Sequence, residues 1–96
     1  MSTLNPVEIA EAMRKLTWIA RKHGVIKPYE VIDTAEFTYT IAIVVRDRRT
    51  DDYISVISIP VNDVMEFIRK INYEEFEECV KKYRNIKQCL IFQIKH

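Results

Sequence analysis

Glycine is almost missing from this chain. Gly24 is the only one in 96 residues, and histidine, cysteine and glutamine each occur only twice. That scarcity excludes a glycine-rich phosphate loop, and the sequence holds no G-x-S-x-G elbow and no H-E-x-x-H pair. Cys79 and Cys89 form no C-x-x-C, and His23 and His96 are not spaced to complete a tetrahedral zinc site with them. No metal and no cofactor is therefore expected. The two cysteines read as buried reduced thiols. A disulfide between them is the alternative, favoured if the source is heat-adapted, and fourteen isoleucines against two glutamines lean that way.

Long hydrophobic runs are also lacking. No stretch approaches a bilayer-spanning length, and the opening residues "MSTLNPVEIAEAMRKL" lack the basic start and apolar run of a secretory signal, so a cytoplasmic, intracellular protein without membrane contact is expected. Net charge of one sign is lacking as well. Fifteen basic residues face fourteen acidic ones, giving +1, so any anionic partner must be met by a local patch rather than a global field.

What is present, 48% apolar and 30% charged residues, fits one globular domain over residues 1–96. A chain this short buries a smaller fraction of its surface than a larger domain and often gains stability by association, which makes a homodimer the expected state. Helix punctuation opens it: Asn5 as N-cap, Pro6 at the first helical position, Glu8 at capping-box spacing and Gly24 just past the end predict a helix over residues 6–23. "YEVID", "EFTYTIAIVVR" and "DYISVISIP" read as three strands, the first two joined by a turn around Asp33, Thr34 and Ala35. Phe37, Tyr39, Ile41, Ile43 and Val45 then share one strand face. Two apolar stripes beyond Pro60 point to opposite sides of any single helix, so the helical pattern is broken at Asn72, whose spacing to Glu75 starts a new helix. "KQCLIFQIK" alternates and reads as a fourth strand. The expected fold is α+β, order α-β-β-β-α-α-β: a two-layer sandwich with helices on one face of an antiparallel sheet of about four strands.

"RDRRTDD", residues 46–52, packs six charges into seven positions. Its three arginines and three aspartates cancel, and without glycine or asparagine it suits a solvated four- or five-residue hairpin loop. Magnesium binding by Asp47, Asp51 and Asp52 is opposed by the neighbouring arginines. Arg46, Arg48 and Arg49 remain secondary candidates for nucleic-acid contact.

The first helix carries the sharper signal. Ile9, Ala12, Met13, Leu16, Ile19, Ala20 and His23 recur at three-and-four spacing and form the core face. His23 reads as a helix-end packing or capping group and His96 as a terminal residue, rather than as general bases. Trp18 lies on the opposite side, with Val7, Arg14, Lys15, Arg21 and Lys22. An indole left in water forgoes burial of about 150–250 Å² of mostly apolar surface. Three coverings compete: the 25–29 segment and the arginine stems, a second subunit meeting Trp18 across a two-fold axis, or an unpaired base stacked on it beside a basic track. The expected function is that of a small non-enzymatic binding protein, with a nucleic-acid accessory protein as the alternative and an enzyme third.

Overall fold

The structure, a computed structural model, describes residues 3–95; Met1, Ser2 and the expectation for His96 lie outside them. Helix α1 spans Pro6–Lys22 and begins as its punctuation predicts, with the Asn5 side chain accepting from the Val7 and Glu8 amides and donating back to Glu8. Gly24, at φ +70°, takes the left-handed position that ends it. Strands β1 (Glu30–Glu36), β2 (Thr40–Asp47) and β3 (Tyr53–Pro60) follow, then a short 3-10 turn, α2 (Val64–Lys70), α3 (Tyr73–Tyr83) and α4 (Ile86–Lys95). No helix among the described residues is long and apolar enough to cross a membrane.

The sheet is antiparallel in the order β1-β2-β3. Ile32, Ile41, Ile43 and Ile59 turn one face into a single cluster with α1 to α4, where Leu16, Phe76, Val80 and Leu90 are fully buried. The β1–β2 turn falls later than expected. Asp33, Thr34 and Ala35 stay within β1, and residues 37–39 make the turn, closed by the Phe37 amide donating to the Thr40 carbonyl. Phe37 and Tyr39 thereby leave the strand face assigned to them and stand in solvent. Asp33, Thr34 and Ala35 are instead paired across the sheet with Val44, Ile43 and Ala42, and Asp33 also accepts from Arg46 at 3.3 Å.

The helix break at Asn72 is present, its side chain accepting the Glu75 amide. Asp63, which stands at the same spacing before Glu66 and precedes α2, makes no side-chain cap bond. The fourth strand is not there; residues 86–95 form α4 instead. Arg84 closes α3 in the left-handed conformation without the help of glycine, and Asn85 then accepts the Gln88 amide at 2.9 Å, opening the next helix. The buried set Ile86, Cys89, Leu90 and Gln93 follows a helical period, which the alternation of a short apolar run concealed. This hairpin of helices also overturns the reduced-thiol expectation. It brings Cys79 of α3 and Cys89 of α4 to a Cα separation of 5.7 Å, joined as a disulfide.

Helix α1 packs along β1 and finishes that edge of the sheet. The Thr17 hydroxyl accepts the Ile32 amide at 2.9 Å and donates to the Met13 carbonyl at 2.7 Å, while Arg21 Nη2 donates to the Glu30 carbonyl at 2.6 Å. Two side chains thus do what a fourth strand would do for the exposed ladder. Thr17 is buried, so Thr17→Val, which keeps the shape but loses the oxygen, leaves the Ile32 amide unpaired. The expected loss is about 1–3 kcal/mol in denaturant unfolding, with faster hydrogen exchange at Ile32.

Candidate functional site

The core stripe of α1 is buried as its spacing requires, and the opposite stripe is open. Trp18 is 68% exposed. The intrachain covering expected as one possibility is therefore absent: Ile26 is buried and Val25 packs against the core, whereas Tyr29 is occupied by the Arg49 guanidinium 3.5 Å from its ring centre.

Two shallow hollows flank the indole. One, of about 580 Å³, is bounded by Arg14, Lys15, Trp18 and Tyr73. The Lys15 ammonium lies 5.1 Å from the centre of the Tyr73 ring. Partial burial, and next to it the charge of Glu11, raises the Tyr73 phenol above its ordinary value, so it stays a neutral donor at physiological pH. The other hollow, of about 460 Å³, lies between α1 and β1, with Arg14, Trp18, Arg21, Asp33 and Arg48 on its walls.

Arg48 arrives from the hairpin loop. Five residues, 48–52, connect β2 to β3, with the Asp47 amide bonded to the Asp52 carbonyl and Asp51 in the left-handed region at φ 63°. The Arg48 amide donates to the Tyr29 carbonyl at 2.9 Å, which ties the tip back toward the end of α1. The loop is a solvated hairpin tip, as its charge pattern suggests, but one of its arginines, Arg48, borders the same hollow as Trp18.

The remaining candidates are used elsewhere. Arg49 holds Asp47 through two nitrogens, at 3.2 and 2.9 Å, and keeps that carboxyl below its ordinary range. Arg46 lies on the opposite face of the sheet, between Asp33 and the Tyr53 ring. Val7, about 16 Å from Trp18 along the helix, borders neither hollow. Lys22 turns toward α3, where Glu77 accepts from it at 3.1 Å and from His23 at 2.7 Å. Of the sequence candidates, Arg14, Lys15, Trp18, Arg21 and Arg48 come together. Tyr73 joins them from the start of α3, brought beside α1 by the packing of the two helices. No family model matches this chain, and neither a curated protein nor a solved structure shows significant similarity to it.

The pairing of Glu77 clamps the end of α1 to α3. The His23 hydrogen bond, then that of Lys22, holds the Glu77 carboxyl below its ordinary value of 4.5. A carboxyl lowered in the folded state stabilises above its unfolded value, and that contribution is lost as pH falls through the folded one. Glu77→Gln should therefore lower the melting temperature slightly at pH 7 and narrow its fall below pH 4.5, measured by thermal melts across pH. Glu8, lowered by Arg69, and Asp47, lowered by Arg49, keep part of that acid limb in place.

Proposed function

We propose that this protein is a non-enzymatic binding module whose Trp18 face takes single-stranded nucleic acid. The observation that carries the reading is an indole two-thirds exposed, with Arg14 and Arg21 of α1 and Arg48 of a separate loop around it. Four cations and two anions border the two hollows, and Asp33, one of the anions, is already engaged by Arg46. An aromatic face offers stacking to any base, and guanidinium groups beside it meet the flanking phosphates.

The same charges argue against a second copy on this surface. An antiparallel α1 pair centred on Trp18 sets Lys15 against Arg21; a parallel pair sets Arg14 and Lys15 each against its own copy. Like charges opposed across an interface destabilise it. An anionic strand meets no such penalty.

Arg14 and Arg48 are the clean probes, since Arg21 also supports the β1 edge and its Nε is buried without a hydrogen-bond partner among the described residues. Binding of a labelled single-stranded oligonucleotide should weaken with salt at a slope of about −2 in log K against log salt, for about three phosphates neutralised. Arg48→Ala should reduce that slope by about 0.7. A duplex of the same sequence, its bases stacked away from the indole, should bind more weakly. No binding at low salt, or equal affinity for duplex and single strand, would overturn the assignment.

A further inference from the structure

The two edges of the sheet are finished differently. Thr17 and Arg21 occupy the β1 edge, whereas β3 pairs only with β2 and, among the described residues, no strand takes its other side. Edge strands are ordinarily guarded by charge, proline or a covering element. The stretch "YISVISI", residues 53–59, carries no charge at all, and Pro60 stands only at its end. Ile54 is 75% exposed, although its cross-strand partner Val45 lies on the core-packed face of the sheet.

We propose that this edge pairs antiparallel with the same edge of a second copy, joining two three-stranded sheets into one of six strands. A register follows from the side-chain directions. Ile43 pairs with Ile57 and Val44 with Ser55, so Val56 is the extra residue of a bulge. Ile54, Ile57 and Ile59 point to the helix-covered face, and Ser55 and Ser58 to the other. Two copies related by a two-fold axis between Val56 and Ile57 set Ile54 opposite Ile59 and Ser55 opposite Ser58. Every opposed pair then shares a face. Without the bulge, residues five apart, such as 54 and 59, would face opposite ways, so the irregularity makes this register possible instead of blocking it.

The same register gives the exposed isoleucine a receptor. Ile59 borders a groove of about 540 Å³ between β3, α2 and α4, where Phe67 and the exposed Ile94 supply apolar wall and the charges of Glu66 and Lys70 balance. Ile54 of each copy enters this groove in the other, twice by symmetry, which is the self-complementarity an isologous contact needs. Helix α1 lies at the far edge, so both Trp18 faces remain open. The inference does not rest on the nucleic-acid reading.

Light scattering across concentration should give a mass near twice the 11.4 kDa of the chain. Ile54→Lys, an exposed substitution, should reduce that to the monomer mass with the circular dichroism and melting temperature of the monomer intact. The double variant Ser55→Cys/Ser58→Cys should form a covalent dimer under mild oxidation, while Tyr53→Cys/Ser55→Cys, whose cysteines are not opposed, should not. A wild-type protein that stays monomeric at every concentration overturns the proposal. So does a dimer that survives Ile54→Lys, or one that dissociates on Trp18→Ala instead.

Discussion

Trp18→Ala should weaken single-strand binding by roughly 5- to 150-fold while leaving the fold alone. Loss of one aromatic platform removes about 1–3 kcal/mol of stacking per base. The same truncation inside a core would cost about 3–5 kcal/mol in stability. Trp18 is 68% exposed and belongs to no buried cluster, so its removal opens no cavity. Affinity and stability therefore separate, with the melting temperature within a degree or two of wild type. Trp18→Phe, which keeps a smaller stacking surface, should recover part of the affinity. A variant that unfolds would place the ring in a structural role, and one that binds as tightly as wild type would remove it from the site.

Reducing the disulfide should have the largest effect on stability. Cys79 and Cys89 are ten residues apart and join two helices that meet through only Arg84 and Asn85. On the chain-entropy argument, closing a loop of that size restricts the unfolded chain by about 3 kcal/mol. For a domain this small that corresponds to roughly 10–20 °C in melting temperature. The double variant Cys79→Ala/Cys89→Ala should lose at least as much, because Cys89 is fully buried and its sulfur leaves a gap. Thermal melts with and without reductant check this. Below the melt, oligonucleotide affinity should not change, since neither cysteine borders the Trp18 hollows. A melting temperature indifferent to reductant would mean that packing of α3 against α4 alone holds the hairpin.

How far the sequence could be read depended on punctuation. Where a cap residue and its partner stood three apart, as at Asn5 with Glu8 and Asn72 with Glu75, helix starts were legible and are present. Asn85 with Gln88 is the same signal, and the helix it opens reads as a strand because Leu90, Phe92 and Ile94 also alternate. A ten-residue apolar segment satisfies both periods, and only the cap distinguishes them. Reading the helix as a strand also leaves the disulfide only an alternative, since a strand there gives Cys89 no reason to approach Cys79.

Trp18 could be placed from its angle on the helix wheel, which needs no tertiary information. Its neighbours from other elements could not. Arg48 comes to the hollow beside it with its own amide bonded to the Tyr29 carbonyl, and Tyr73 with the packing of α3 against α1; both depend on long-range packing. Thr17 was hidden for another reason. A hydroxyl on the buried side of α1 is ambiguous until the edge it serves is known, and the free edge of β1 emerges only from the strand order.

The most direct test uses the indole as its own reporter, because Trp18 is the sole tryptophan. Its emission should start red-shifted and should be quenched in a saturable way as a single-stranded oligonucleotide is added at low salt, the signal returning when salt is raised. Emission that stays unchanged at saturating oligonucleotide, at low salt and with the protein folded, would contradict a base stacked on Trp18.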